Sequence, residues 1–216
     1  MTAPAGLLLD AMGTLIGLRR SVGCLYAEVA AEHGLELDPE PLDRAFAEAY
    51  GAAAPLAFPA VSAQHLEQAE RHWWQQRIEA TFRAVGVQPL PIGLGSDLFD
   101  RFATPEPWGI YPEVLAALKR WRGQGLRLAV VSNFDRRLHD LLERLGLREL
   151  LDLVLVSSEV GSAKPEPGML LQALEQLELR PEQAWHIGDS RADAAAAAAA
   201  GMRCLKLERA SGILVP

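Results

Sequence analysis

Residues 6 to 15 read Gly6-Leu7-Leu8-Leu9-Asp10-Ala11-Met12-Gly13-Thr14-Leu15. A leucine run that stops abruptly on an acid and then enters a glycine-containing turn has the pattern of a buried β-strand with a carboxylate at its tip. Periodicity does not separate so short an apolar run from a buried helix; brevity, the terminal acid and Gly13 together favour the strand. At the carboxyl end of a parallel strand an acid points into the crevice where open α/β sheets bind ligands, which makes Asp10 a candidate nucleophile or metal ligand. Read alone, the same aspartate also fits a helix N-cap or a turn, so the rest of the chain has to decide.

Downstream of Leu15 the pattern becomes helical for almost a hundred residues. Ser21 is placed to cap a helix reaching about His33, Asp38-Pro39 opens a second, and a third runs from about Ser62 to Val85 carrying Trp73, Trp74, Ile78 and Phe82. These aromatics recur at the spacing of a buried face, the pattern of interhelical packing rather than of a cofactor box. A shorter helix is expected over Ser96 to Phe102 before Pro105 and Pro107 stiffen the exit. From Pro112 onward, helix and apolar strand alternate. Strands are expected over Leu126 to Val131, Leu151 to Val156, Ala184 to Ile187 and Arg203 to Leu207. Helices are expected over Pro112 to Arg122, Asp135 to Leu145, Pro167 to Leu177 and from Asp193 through seven alanines to Gly201. Such alternation predicts an α/β fold, a Rossmann-like parallel sheet with helices on both faces. The expected division is a core of residues 1–17 and 106–216 with a helical insertion of residues 18–105. The small residues of the alanine helix suit close packing against the sheet.

Composition narrows the function classes. With 216 residues, half of them apolar, the chain can bury a full core. A net charge of -7 without a basic block speaks against nucleic acid or an anionic membrane as partner. Of the 21 basic residues only Lys119, Lys164 and Lys206 are lysines, so amine chemistry has few candidates. Cys24 and Cys204 lie far apart with no Cys-x-x-Cys spacing, which suggests neither a zinc site nor a disulfide framework. The opening Met-Thr-Ala-Pro-Ala-Gly has no basic stretch and the apolar run ends at Asp10, so a cytoplasmic protein is expected.

Four strand ends carry polar residues: Asp10, then Ser132 with Asn133, then Lys164 in the following loop, then Asp189 with Asp193. Singly each reads as a cap, a turn residue or a solvated charge. Brought to one edge of one sheet they form a set: acids with a lysine and a hydroxyl suit a carboxylate nucleophile, a Mg²⁺ held by oxygen ligands, and a cation with a hydroxyl gripping a phosphoryl oxygen.

The segments Asp10-Ala-Met-Gly-Thr14-Leu, Val131-Ser132-Asn133, Lys164-Pro165 and Gly188-Asp189-Ser-Arg-Ala-Asp193, in that order, resemble the four motifs of the haloacid dehalogenase (HAD) superfamily, and the resemblance spans nearly the whole chain. The long insertion is similar to that superfamily's helical cap of the C1 type. The run Ser-Asn-Phe-Asp-Arg-Arg-Leu at 132 to 138 and the Trp73-Trp74 helix are similar to one subgroup within it. The resemblance implies that Asp10 attacks phosphorus to form an aspartyl-phosphate, and that Ser132 and Lys164 hold the phosphoryl group. It implies Mg²⁺ bound by Asp10, Asp189 and the backbone carbonyl of Met12, with Asp193 assisting directly or through water, and with Asn133 and Thr14 orienting neighbours. The substrate implied is a small phosphorylated or otherwise anionic metabolite.

One position departs from the pattern. Phosphatases of the superfamily read Asp-x-Asp-x-Thr, the second acid protonating the leaving group and later activating water; here that residue is Met12. A thioether does no acid-base work, and loss of a general acid-base costs about 10²- to 10⁴-fold in rate. Three readings follow: a weak or restricted Mg²⁺-dependent phosphatase, a non-catalytic binding relative, and a metal-independent 2-haloacid dehalogenase, members of which carry a non-acidic residue at this position. The phosphonoacetaldehyde hydrolases need a lysine from the cap, and no lysine precedes Lys119. Specificity is expected from the cap, through Arg19, Arg20, Tyr26 or the Trp73-Trp74 helix, with a solvated charge pair at a cap hinge the alternative for Arg19 and Arg20. Whether a cap acid such as Glu28 reaches the place above Met12 is a question for the structure.

Overall fold

The computed structural model describes residues 3–209. In chain order the elements are β1 (Gly6–Leu9), β2 (Ile16–Leu18), α1 (Val22–Glu32), α2 (Pro39–Gly51), α3 (Leu66–Ala84), α4 (Leu94–Arg101), β3 (Trp108–Ile110), α5 (Val114–Gly123), β4 (Arg127–Ser132), α6 (Arg137–Arg144), β5 (Leu153–Val156), α7 (Ser157–Val160), α8 (Gly168–Gln176), β6 (Ala184–Gly188), α9 (Arg191–Ala199) and β7 (Arg203–Lys206). Five strands form one parallel sheet in the order β5-β4-β1-β6-β7. β1 is central, and the order reverses beside it, so the crevice at the strand carboxyl ends opens next to Asp10.

The period-2 alternation of a strand explains why both faces are apolar. Leu7 and Leu9 of β1 join Leu128 and Val130 of β4 in a core shared with Val114 and Leu118 of α5 and with Leu138, Leu141 and Leu142 of α6. Leu8, Ala129 and Val131 face the other way, into a core closed by Met169, Leu170 and Ala173 of α8 and by Ala196 and Ala197 of α9. The alanine helix therefore packs close to the sheet, as its small side chains suggested.

α1 to α4 have a core of their own in which Tyr26 stacks on Phe82, ring centroids 5.7 Å apart, among Leu42, Ile78, Leu94 and Leu98. Ser21 caps α1 by accepting from Cys24 N at 3.2 Å, and Asp38 caps α2 by accepting from Glu40 N at 3.1 Å, both as their sequence positions suggest. Other boundaries moved. α4 begins at Leu94, two residues before the expected Ser96, because Gly93 takes the left-handed conformation (φ 91°) that turns the chain into the helix. α9 begins at Arg191 rather than Asp193: Ser190 is its N-cap, and Asp193 sits in the first turn and closes a capping box.

The expectation that the chain turns helical straight after Leu15 is corrected. Ile16–Leu18 is a strand, paired antiparallel with Trp108–Ile110, so that the two connections to the helical block run side by side. Three residues are too few to show a period of two, and the partner lies some ninety residues away. Among the described residues no helix is long and apolar enough to cross a membrane.

Candidate active site

Parallel strand ends bring the four motifs together. β1 delivers Asp10, whose N–H donates to Ile187 O of β6 at 2.9 Å. β4 ends on Ser132, whose Oγ donates to Asp10 Oδ1 at 3.0 Å. Lys164 reaches in from the loop before α8 and donates from Nζ to Asp10 Oδ1 at 2.6 Å, to Asp193 Oδ1 at 2.6 Å and to Val131 O at 3.0 Å. Asn133 fixes that loop through its amide, which donates to Lys164 O and accepts from Lys164 N, both at 2.8 Å.

Asp193 is saturated. Oδ1 meets Lys164 and His186 Nε2, the latter at 2.8 Å, while Oδ2 accepts from Ser190 N at 3.1 Å and Ser190 Oγ at 2.5 Å. The other ring nitrogen of His186 meets Leu8 O at 2.9 Å. Burial pushes Asp193 up, yet the His186 hydrogen bond and the Lys164 ammonium outweigh it and hold the carboxyl well below its ordinary range. Burial likewise pulls Lys164 down, and the charges of Asp10 and Asp193 more than offset it, so the ammonium is held above the usual lysine value. Lys164 stays charged and fixed.

Two acidic positions are left without side-chain partners among the described residues: Asp10 Oδ2 and the Asp189 carboxylate. One oxygen from each of Asp10, Asp189 and Asp193 lies within 4.8 Å of the others. Burial, then the charge of Asp10, raise Asp189 above its ordinary value, a repulsion that a cation would relieve. Hard oxygen donors and an excess of carboxylates over the one ammonium fit Mg²⁺, with Asp10 and Asp189 free to hold it directly and Asp193 placed to orient Lys164 beside it. Gly13 is required here. Its φ of 79° is left-handed, and a Cβ would run into Asp189 Oδ2.

Met12 lies on the wall of a cavity of about 390 Å³ directly over these groups, 40 % exposed. The carboxylates lining that cavity are Asp10, Asp189 and Asp193; Glu28 does not, being paired with Arg20 at 2.5 Å and Arg101 at 3.4 Å. Among the described residues, then, no acid of the helical block reaches the place above Met12. Arg19 is also turned away, donating to Trp108 O at 2.7 Å, and neither Arg19 nor Arg20 lines the cavity. Tyr26 and Trp74 do; Trp73 instead packs and donates to Ala54 O at 3.0 Å. Thr14 is buried with its hydroxyl unpartnered among the described residues, so the orienting role expected of it is not made through a hydrogen bond here.

Several groups at the site escaped the sequence reading. Asp135, fully buried, accepts from Trp74 Nε1 at 2.6 Å and from Arg137 Nε and Nη2 at 2.8 and 2.7 Å, tying α3 to the loop after β4. Beside it Glu70 of α3 accepts from Ser158 Oγ at 2.6 Å and from Arg136 Nε at 3.1 Å. Arg209 donates to Gly13 O at 2.9 Å and Thr14 O at 2.7 Å, clamping the turn after Asp10 from the far end of the chain. His186 alone had a local signal, a polar residue in an otherwise apolar strand.

The chain belongs to the haloacid dehalogenase-like hydrolases: the model of that family matches residues 5–201. Its subgroup resemblance is borne out too. It is 39 % identical over 196 residues to the haloacid dehalogenase-like hydrolase domain-containing protein 3 of Bos taurus, covering 89 % of this chain and 77 % of that one. Among solved structures, an L-2-haloacid dehalogenase from Xanthobacter autotrophicus with covalently bound chloropropionic acid superposes with a TM-score of 0.70 at 18 % identity, over 96 % of this chain and 79 % of that chain. A HAD family hydrolase from Deinococcus radiodurans R1 with bound phosphate and sodium gives a TM-score of 0.62 at 25 % identity, over 94 % and 80 %.

Proposed function

We propose that this protein is a Mg²⁺-dependent phosphate monoester hydrolase working through an aspartyl-phosphate on Asp10, with residues 18–105 as a helical cap over a core of residues 1–17 and 106–216. One observation carries the reading: Asp10 is pinned through Oδ1 by Ser132 and Lys164 while Oδ2 stays free, next to the unpaired Asp189. A carboxylate so held presents one oxygen, in a fixed direction, to an electrophile in the cavity. Lys164 and Ser132 stand where they can turn from Asp10 to the phosphoryl oxygens and stabilise the charge that develops there. Asp10, Asp189 and the Met12 carbonyl would hold Mg²⁺, with Asp193 in support, and the bound ion would neutralise charge between the carboxylates and the phosphoryl group. The phosphate and sodium bound by the Deinococcus relative agree with this class of ligand. Met12 makes the enzyme slow or restricts its substrates, by the factor of about 10² to 10⁴ attached to a general acid-base.

The test is hydrolysis of phosphoryl compounds, acetyl phosphate included, with Mg²⁺, with EDTA, and with Asp10→Asn. Activity that needs the metal and vanishes in the variant is expected. Metal-independent chloride release from 2-chloropropionate, the second reading, is favoured by the non-acidic Met12 and opposed by the unpaired Asp189, which that chemistry does not use. With neither activity, a non-catalytic binding role takes over.

A further inference from the structure

The cavity over Asp10 offers few free polar groups on its outer wall. Its wall away from the strand ends is built from aromatic and aliphatic side chains of the helical block, among them Phe46, Trp74, Ile78, Phe99 and Phe102, with Phe134 from the core. The charged group on that wall, Arg137, is only 12 % exposed and is neutralised by Asp135, with its remaining guanidinium nitrogen donating to Phe99 O at 2.7 Å. The indole of Trp74 is likewise spent on Asp135. What lines the rest of that wall is mostly apolar surface; Tyr26, only 2 % exposed, and Tyr50 also line it, and neither hydroxyl makes a hydrogen bond among the described residues. A polyol bound here would leave most of its hydroxyls without partners, at a cost for each. The volume of about 390 Å³ is enough for a small organic group beside the phosphoryl site.

Met12 leads independently to the same place. With Met12 where the motif has its second acid, no carboxylic acid at this position protonates the leaving oxygen, which favours groups that depart as stable anions. An aryl oxide, whose parent acid resembles tyrosine with a pKa of about 10, does so readily. A simple alkoxide, whose parent alcohol is a far weaker acid close to water, does not.

Resting on the phosphatase reading, we infer that the substrates are phosphate esters of aromatic, phenol-like groups, bound through the apolar wall and released without protonation by the enzyme. Asp10 Oδ2 forms a bond to phosphorus as the bond from phosphorus to the aryl oxygen breaks, and the aryl oxide leaves with that electron pair and takes a proton from water. A second water then forms the next bond to phosphorus and the bond to Asp10 breaks. The carboxylate recovers its electron pair, and the proton passes to solvent with the departing inorganic phosphate. Because Met12 cannot act as base in this second half, the aspartyl-phosphate accumulates.

Two measurements on the wild-type chain with Mg²⁺ separate this inference from the reading beneath it. The first is calorimetric binding of phenylphosphonate against methylphosphonate, neither of which turns over. Burial of the ring predicts that phenylphosphonate binds about tenfold to a hundredfold tighter; equal binding overturns the apolar subsite whatever the activity. The second is a comparison of phenyl, benzyl and glucose 6-phosphates with acetyl phosphate. Phenyl phosphate is expected to exceed benzyl phosphate in kcat and glucose 6-phosphate in kcat/KM, with a burst of one phenol per site. Cleavage of glucose 6-phosphate as fast as phenyl phosphate overturns the inference and leaves the phosphatase reading standing; failure to cleave even acetyl phosphate overturns both.

Discussion

Replacing Met12 by aspartate puts a carboxylate on the cavity wall two residues from Asp10, where the second acid of the motif belongs. If the missing acid-base limits the rate, Met12→Asp raises turnover of an alkyl phosphate such as benzyl phosphate by about 10²-fold or more, and abolishes the burst with phenyl phosphate. Steady-state and stopped-flow assays of the two substrates check it; unchanged rates contradict the role given to this position. Lys164 tests the other half of the site. It is buried between Asp10 and Asp193, and Lys164→Met leaves two carboxylates facing each other with their cation gone. Breaking a buried pair in this way costs about 3 to 5 kcal/mol, to be read from urea unfolding, together with loss of activity. Asp10, Ser132, Asn133 and Asp189 were legible because a strand end is marked locally by a polar residue closing an apolar run; Lys164 and Asp193, in the loop before α8 and the first turn of α9, join them at the carboxyl ends of the strands. Their partners were not. That Asp193 is saturated by Ser190 and His186, and so supports Lys164 more directly than it offers itself to a metal, depends on atoms that no spacing rule reaches.

At the scale of elements, α9 shows how a helix start serves a site. Ser190 caps it, accepts from Asp193 N and donates from Oγ to Asp193 Oδ2. Ser190→Ala is expected to cost about 1 kcal/mol of stability through the lost cap, and to lower kcat with little change in KM, since Asp193 would no longer hold Lys164 in place; thermal unfolding and steady-state kinetics give the two readouts. Apart from the single-turn α7 (Ser157–Val160), whose residues read as the loop after β5, the helices and core strands were readable from caps, glycines and apolar runs. The β2–β3 ribbon was not, since two three-residue strands far apart in sequence carry no local signature. Nor was the clamp of Arg209 on the Gly13–Thr14 turn, which joins residues almost two hundred positions apart. Arg209→Lys keeps the charge but not the fork that reaches two carbonyls at once, so it is expected to weaken Mg²⁺ binding measured by calorimetry.

For the whole molecule, the helical block is joined to the sheet by two buried carboxylates that cross between them, Asp135 to Trp74 and Glu70 to Ser158 and Arg136. The run from 132 to 138 was recognisable as a family resemblance, while its mechanical meaning depends on a tryptophan 61 residues earlier in the chain. Asp135→Ala strands the Arg137 guanidinium in an apolar wall, and a loss of about 3 to 5 kcal/mol is expected. Hydrogen exchange is expected to quicken in α3 and α4 while the parallel sheet stays protected; uniform quickening would mean that Asp135 supports the whole fold and not this joint. All of these arrangements converge on one free oxygen, Asp10 Oδ2. Its chemistry is tested most directly by mixing the protein with phenyl phosphate and Mg²⁺, quenching in acid within a turnover, and locating the added phosphoryl group by peptide mass spectrometry. The prediction is one phosphoryl group on the peptide that carries Asp10, absent in Asp10→Asn. Phenol release with no phosphoryl group on that peptide, or with the group on another residue, would contradict it.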